Sequence, residues 1–197
     1  MMTYKTINEL ADRVHANAVE HGFYDNVEDR RAKLDQLEVL LATEIGEFVN
    51  ADRKDRWFIT SSLFAESELA SMLDGEVAVA DFADFYNERV KGTAEEELAD
   101  IFIRALDTLG FLQKIIEPED VTAARGKIMN CNFDANWRLA HKLYELCFYL
   151  ANVPTRLVAM IELIQDFCIS RGVNLDLHVR AKMLFNAQRP YRHDKKY

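Results

Sequence analysis

The sequence predicts an all-α protein, and three observations support this fold class. Only 7 glycines and 3 prolines occur among the 197 residues, so long segments run without a residue that ends a helix. The alternation of apolar and polar residues that marks a half-buried strand is rare. Apolar residues instead recur at helical spacing, as in the row Leu34, Leu37, Leu41, Ile45 and Phe48. We therefore expect a helical bundle around an apolar core.

The first half of the chain divides into helix-length segments that end at glycines or polar loops. Glycine after an apolar row is a common helix stop signal. Residues 57–60 are the one candidate for an extended segment. The predicted elements are a helix over 6–21 that stops at Gly22, a loop over 23–28, a helix over 29–52, a short helix over 61–73 before Gly75, and a helix over 77–90 before Gly92.

Thr93 and Glu96 have the spacing of a capping box, in which two side chains bond the backbone amides at the start of a helix. The helix that they open is predicted to stop at Gly110. Pro154 and Gly172 separate the helices near the end of the chain. Those later helices are predicted over 119–129, 134–151, 155–171 and 174–187.

The chain is interpreted as a single domain over residues 1–197. Residues 134–188 loosely repeat the helix pattern of residues 30–112, although they carry none of its acidic pairs. A decayed internal duplication that now serves packing is one interpretation of this similarity. The other is a set of additional helices over 113–179 without that origin. In both cases the chemical motifs lie in 1–112 and 180–197.

Composition disfavours several classes of function. The 24 basic and 33 acidic residues give a net charge of −9, which is unsuited to binding duplex nucleic acid through bulk charge. No apolar run approaches the ~20 residues of a membrane span, and the first residues lack the apolar stretch of a signal peptide. Three widely spaced cysteines in apolar surroundings predict buried free thiols. We expect a cytoplasmic protein that binds neither nucleic acid nor membrane.

Two pairs of acidic residues have the i, i+3 spacing that places both carboxylates on one face of a helix. They are Glu44 with Glu47, and Glu97 with Asp100. Solvated helix surfaces also carry such pairs, so the spacing alone does not distinguish a surface from a site. Glu44, however, interrupts an apolar row at a position where the pattern asks for an apolar residue.

The helix predicted after Thr93 is apolar on nearly every side between residues 98 and 109. Asp100, Arg104 and Asp107 therefore cannot all reach water, and buried carboxylates are costly unless they are paired or bind a cation. If the two acidic pairs face each other, their repulsion raises their pKa values. A hard divalent ion such as Mg²⁺ or Mn²⁺ removes that repulsion and prefers oxygen ligands.

The C-terminal end is basic although the protein as a whole is acidic. From Arg180 onward it holds six Lys or Arg residues against one Asp, a local charge near +5. A solvated tail is one interpretation, but Phe185, Tyr191 and Tyr197 favour docking. A docked cationic segment beside an acidic metal site can bind phosphate oxygens. Carboxylates, metal and basic groups together are typical of phosphoryl chemistry.

Four segments resemble the MazG-like all-α nucleoside triphosphate pyrophosphohydrolases, relatives of the dimeric dUTPases, and they follow one another in the family's order. Two positions depart from the pattern: Asp194 stands where related sequences usually have glycine, and Thr43 where many relatives have a further glutamate. The four segments are His15 to Tyr24, Glu44-Ile-Gly-Glu47, Val90 to Asp107 with its Glu97-Leu-Ala-Asp100 core, and Lys182 to Lys195 with Asn186, Arg189, Pro190, Tyr191 and His193.

The resemblance implies a helical bundle of MazG-like type that hydrolyses an NTP or dNTP between the α and β phosphates, giving a monophosphate and pyrophosphate. The cofactor it implies is Mg²⁺, with Mn²⁺ as the other candidate. Either Glu44 or Glu47 would take the proton of the attacking water, if that residue is not solely a metal ligand. The implied metal ligands are Glu44, Glu47, Glu97 and Asp100.

The resemblance also implies residues for the substrate. Arg104 either reaches the phosphates or pairs with Asp100 or Asp107, and we favour pairing. His15, His21, Phe23 and Tyr24 are candidates for a base pocket, although aromatic residues near a helix end are more often core. The candidate substrate-binding residues are Asn17, Lys182, Asn186, Arg189, Arg192 and Lys195.

Two other functions stay open at this point. A carboxylate-bridged di-iron bundle also uses acidic pairs on facing helices, but it needs Glu-x-x-His twice. None of the five histidines has a glutamate three positions before it. A non-catalytic helical interaction protein would keep the fold without turnover. The resemblance further implies a homo-oligomer, a dimer or larger, because bundles of this type complete their core with a partner subunit.

Overall fold

The described part of the chain consists of helices, turns and short connections. A computed structural model of the protein describes residues 1–60, 64–75, 79–128, 133–147 and 153–191. No strand occurs within these ranges, so the predicted all-α class is confirmed. The elements are α1 (Tyr4–Glu20), α2 (Arg30–Arg53), α3 (Ala65–Asp74), α4 (Val79–Phe85) with a π-helical turn (Tyr86–Val90), α5 (Ala94–Phe111), α6 (Pro118–Ile128), α7 (Asn136–Cys147), α8 (Val153–Arg171) and α9 (Leu175–Ala187).

Several helix ends follow the capping signals of the sequence. The hydroxyl of Thr93 accepts a hydrogen bond from the backbone amide of Glu96 at 3.4 Å and so caps α5. Polar side chains cap α1, α2 and α9 in the same way. Gly22 and Gly92 have φ angles of +77° and +72°, a left-handed backbone that glycine adopts without strain. The boundaries of the first two helices therefore agree closely with the prediction.

Gly110 does not end a helix, contrary to the prediction, because α5 continues through it to Phe111. A side-chain carbon at position 110 would collide with His15 of α1. Glycine is therefore needed here for the close approach of α1 and α5 and not as a stop signal.

Residues 57–60 form a turn, so the extended segment considered for them is absent. The backbone amides of Phe58 and Ile59 donate to the carboxylate of Glu95 at 2.7 and 2.8 Å. This side chain satisfies amides that a strand would direct at a neighbouring strand. The helix predicted over 61–73 begins at Ala65, with residues 61–63 outside the described ranges. Residues 148–151 of the helix predicted over 134–151 lie outside them as well.

α5 is the central helix of the bundle and packs against α1, α2, α8 and α9. Leu98, Ile101 and Phe102 are among its fully buried side chains. α7 packs on α2 and α8, and α6 packs on α8. A smaller apolar core lies where Phe58 and Tyr86 meet residues of α3, α4 and α9. The internal duplication suggested by the sequence stays a prediction.

Buried thiols agree with the interpretation of the cysteines. Cys147 and Cys168 are free and buried, and burial raises the pKa of the Cys147 thiol to about 12. Cys131 lies outside the described residues. Within the described ranges, none of the helices combines the length and the apolar character needed to cross a lipid bilayer.

Candidate active site

Four helices and the segments next to them line a cavity of about 480 Å³. The helices are α1, α2, α5 and α9, and the lining residues outside them are Phe23, Arg56, Lys91, Gly92 and Arg189. Eight of the ten residues predicted to form a site line this cavity, while Arg192 and Lys195 lie outside the described residues. The eight are Asn17, Glu44, Glu47, Glu97, Asp100, Lys182, Asn186 and Arg189.

Three carboxylates from two helices meet at this cavity. Glu44 and Glu47 come from α2 and Glu97 comes from α5, and each offers an oxygen within 4.8 Å of the other two. Glu44 and Glu97 are buried, with 6% and 8% of their surface exposed, whereas Glu47 is exposed. The sequence only suggested that the two acidic pairs face each other, and for these three residues they do. We call Glu44, Glu47 and Glu97 the acidic cluster.

The acidic cluster is under electrostatic strain. Burial, together with the charges of Glu96, Asp100 and Glu47, raises the pKa of Glu97 to about 9. Burial and the charge of Asp100 raise the pKa of Glu44 to about 7, although Arg104 acts in the opposite direction. Oε2 of Glu97 is buried and has no hydrogen-bond partner among the described residues. An all-oxygen donor set with an unsatisfied buried oxygen fits a hard divalent cation such as Mg²⁺.

Asp100, the fourth predicted metal ligand, is bound to a lysine. Oδ2 of Asp100 lies 2.6 Å from Nζ of Lys182, and Oε1 of Glu96 lies 2.5 Å from the same nitrogen. The Lys182 side chain is only 9% exposed. Burial alone would lower the pKa of Lys182, but Asp100 and Glu96 together raise it above its ordinary value. Lys182 is therefore a buried, charged partner of two carboxylates.

Glu96 has a larger role than the capping box predicted. One of its oxygens accepts a hydrogen bond from the backbone amide of Gly92, one residue before the cap Thr93. The other accepts from the Tyr86 hydroxyl at 3.1 Å and from Lys182. A single buried carboxylate thus joins the π-helical turn, the start of α5 and α9. The Lys182 contact could not be read from the sequence, because it links residues of distant helices.

Arg104 pairs with a different acid from those predicted. Its Nε donates to Oε1 of Glu44 at 3.1 Å, whereas Asp100 and Asp107 were the expected partners. Burial lowers the pKa of Arg104, but Glu44 first, and then Asp100 and Asp107, raise it above its ordinary value. Oδ1 of Asp107 instead lies 2.8 Å from Nδ1 of His15. Glu44 is therefore held in place by a permanent cation.

The four residues proposed for a base pocket do not form one group. Phe23 lines the main cavity. His15 and Tyr24 line a separate open depression with Phe111, where the Tyr24 and Phe111 rings stack at 5.4 Å. Nδ1 of His21 lies 2.8 Å from the backbone oxygen of Asn17. Of these four residues, Phe23 alone lines the main cavity.

The sequence prediction missed several residues that line the cavity, namely Asn50, Arg56 and Lys91. Asn50 follows Glu47 by three residues on α2, so helical periodicity could have indicated it. Nη2 of Arg56 donates to the backbone oxygen of Lys91 at 3.1 Å, which holds this loop pair together. The cationic side chains of Arg56 and Lys91 bring positive charge to the lining of the cavity.

The segment after α9 docks on the body of the protein as far as it is described. The hydroxyl of Tyr191 donates to Oδ2 of Asp25 at 2.7 Å, and the Tyr191 ring covers Gly22, where any side chain would collide with it. The ring of Phe185 stacks on Tyr86 at 4.2 Å. Residues 192–197, including the predicted Tyr197 contact, lie outside the described residues. This docking places Arg189 at the cavity.

The amide of Asn186 also points to a polar ligand in the cavity. Its Oδ1 is buried and lacks a hydrogen-bond partner in the described part of the chain. Asn17 on α1 lines the same cavity. Side-chain amides that line a cavity can bind the donor and acceptor groups of a bound molecule.

Comparison of the chain with protein-family models, curated proteins and solved structures gave no match. The resemblance to the MazG-like family therefore stays a prediction that rests on the motifs themselves.

Proposed function

We propose that this protein is a metal-dependent nucleotide pyrophosphohydrolase of MazG-like type. The reaction is hydrolysis of an NTP or dNTP between the α and β phosphates to a monophosphate and pyrophosphate. The observation that supports it most directly is the acidic cluster at the cavity, with the unsatisfied Oε2 of Glu97. A cavity of about 480 Å³ is in the range that holds small molecules.

Glu44, Glu47 and Glu97 are the residues that would hold the metal ion. An ion such as Mg²⁺ or Mn²⁺ would neutralise charge on the triphosphate and would make a water molecule more acidic. Arg104 keeps Glu44 oriented through the 3.1 Å hydrogen bond. Glu47 is exposed, and we assign it the role of the base that accepts the proton of the water.

Two sets of side chains around the acidic cluster suit a nucleotide. Arg56, Lys91 and Arg189 bring positive charge to the cavity, as binding of a polyphosphate requires. Asn17 and Asn186 offer amide groups for the base or the sugar. Lys182 holds the carboxylates of Glu96 and Asp100 in place, because its ammonium group forms ion pairs with both.

The alternatives are less consistent with the side chains present. The acidic cluster contains carboxylates and no histidine, whereas a di-iron bundle uses two Glu-x-x-His pairs. A non-catalytic interaction protein gives no reason for three carboxylates that meet at a cavity. The homo-oligomer, a dimer or larger, and the cytoplasmic location are parts of this proposal that rest on the sequence.

A pyrophosphate-release screen over the common NTPs and dNTPs tests the proposal. We expect release with Mg²⁺ or Mn²⁺ and none with EDTA. Glu47→Gln should abolish release without loss of helical circular dichroism, because residue 47 is exposed. Asp35→Asn is the matched control, since Asp35 lies on the same helix and pairs with Arg31. Absence of release from every nucleotide would contradict the proposal, as would an active Glu47→Gln variant.

A further inference from the structure

Lys182 divides five acids at the cavity into two groups, Glu96 with Asp100 and the acidic cluster. Its ammonium, from α9, binds Glu96 at 2.5 Å and Asp100 at 2.6 Å. These two carboxylates are one turn apart on α5, at i and i+4, and project to the same side. Glu97, between them in sequence, belongs to the acidic cluster instead. One helix turn thus supplies carboxylates both to an organic cation and to the open cluster.

The two groups differ in their state of neutralisation. The side chains of Glu96 and Asp100 are 4% and 16% exposed, and both are neutralised by the ammonium group of Lys182. The acidic cluster has Arg104 on Glu44, but Oε2 of Glu97 is buried without a partner in the described ranges. Enzymes that act on phosphates often use two metal ions about 4 Å apart. Here a lysine ammonium occupies carboxylates that a second ion would require.

We propose that Lys182 serves as a built-in cation in place of a second metal ion, so that each chain binds one divalent ion, on Glu44, Glu47 and Glu97. Asp100 is then a partner of Lys182 and not a metal ligand. The inference rests on the acidic cluster used in the proposed function, but it requires no particular substrate and no turnover.

Release of Lys182 to a bound phosphate is disfavoured by the same geometry. Its departure would leave the carboxylates of Glu96 and Asp100 facing each other in a buried environment, and removal of one partner from a buried ion pair is strongly unfavourable. The hydrogen bond from Tyr86 to Glu96 would supply a neutral donor but no compensating charge. We therefore expect Lys182 to stay bound to the α5 carboxylates Glu96 and Asp100.

A Mn²⁺ titration of the intact protein, followed by the electron paramagnetic resonance signal of free Mn²⁺, tests the inference. We expect one bound Mn²⁺ per chain in the wild type and none for Glu97→Gln at the same concentrations. Lys182→Met should bind a second Mn²⁺ per chain, because Glu96 and Asp100 become available. Lys142→Met is the matched control, since Lys142 pairs with a carboxylate, Glu145, on α7 and does not line the cavity, and it should keep one Mn²⁺.

Two outcomes overturn the inference: two Mn²⁺ ions per wild-type chain, or a folded Lys182→Met variant that still binds only one. Asp100→Asn provides a test if Lys182→Met does not fold. It should weaken Mn²⁺ binding by about 100-fold at most, as for residues outside the ligand shell, and a loss as large as that of Glu97→Gln would show that Asp100 is a ligand. Failure of every nucleotide in the hydrolysis screen leaves these metal counts unaffected, so the two proposals fail separately.

Discussion

Two buried glutamates on the first turn of α5 have opposite environments. Glu95 is fully buried, and its two oxygens accept the backbone amides of Phe58 and Ile59 at 2.7 and 2.8 Å. Glu97 is 8% exposed, and its Oε2 has no partner among the described residues. The first faces the loop after α2, and the second faces the cavity. The same residue type on the same helix turn thus serves the fold at one position and is available to a ligand at the other.

The comparison shows that burial by itself does not identify a functional acid. A carboxylate that accepts two backbone amides has its charge compensated within the fold. A buried carboxylate that lies beside other acids and has an unsatisfied oxygen destabilises the folded protein, and a bound cation can offset this cost. Glu95 and Glu97 therefore differ in whether their carboxylate oxygens have hydrogen-bond partners, and not in how deeply they are buried.

Replacement of Glu97 by Gln should have the largest effect on activity. We expect pyrophosphate release to fall by more than about 100-fold, beyond the loss caused by residues outside a metal's ligand shell. Helical circular dichroism should be maintained, and the melting temperature in metal-free buffer should not fall, because Gln has the same shape and needs no counter-charge. Activity within a few-fold of wild type would remove Glu97 from the site and end the contrast with Glu95.

Replacement of Glu95 by Gln should have its largest effect on stability. A glutamine has one oxygen acceptor, so one of the two amides at 58 and 59 loses its charged partner. We expect a loss of about 3 kcal/mol in the free energy of unfolding, measured by urea denaturation monitored by circular dichroism. Under conditions where the variant is folded, Mn²⁺ binding should persist. A variant that is as stable as the wild type but cannot bind Mn²⁺ would reverse the roles assigned to the two glutamates.

The pH dependence of stability should differ between the wild type and Glu97→Gln in metal-free buffer. The pKa of Glu97 is raised to about 9 in the folded protein from an ordinary value of 4.5. Between these values the unfolded chain has released a proton that the folded chain retains, so a rise in pH favours unfolding. The wild type should lose up to about 1.4 kcal/mol per pH unit relative to the variant.

Urea denaturation of both proteins in EDTA at several pH values between 5.5 and 8.5 measures this difference. Asp35→Asn is again a suitable control, and its curve should run parallel to that of the wild type. Parallel curves for the wild type and Glu97→Gln would show that Glu97 carries no buried, proton-retaining carboxyl group.

The smallest expected effect concerns the cap that precedes both glutamates. The hydroxyl of Thr93 accepts a hydrogen bond from the backbone amide of Glu96 and donates one to the backbone oxygen of Val90 at 2.7 Å. Thr93→Ala should cost about 1 kcal/mol of unfolding free energy, measured in the same denaturation experiment. The number of Mn²⁺ ions bound should be unchanged, because the cap holds the first turn and does not contact the ion site. Loss of the bound ion would show that the cap also positions Glu97.

Local sequence signals predicted much of the fold. The capping residues and glycines placed the ends of α1 and α2, and the break in the apolar row of α2 indicated Glu44. Gly110 was misread because a glycine that stops a helix and a glycine that permits close helix packing look the same in sequence. Only the position of His15 on the neighbouring helix distinguishes the two cases.

The site was predicted in its residue types but less well in its pairings. Helical periodicity places Glu44 with Glu47 and Glu97 with Asp100, since each pair lies on one helix. It does not predict the ion pair of Lys182 with Asp100 or that of Arg104 with Glu44, because those contacts depend on how separate helices pack. Glu95 was missed for the same reason: its partners are amides of a distant loop.

The lysine on α9 also has a consequence for the order in which the protein is made. The carboxylates of Glu96 and Asp100 leave the ribosome before Lys182, which is their counter-charge. Helices α1 to α5 can therefore associate early through their apolar faces, while this part of the bundle carries an uncompensated negative charge until α9 has been translated. Because α9 lines part of the cavity, the cavity cannot reach its final form before that helix has been translated and has docked.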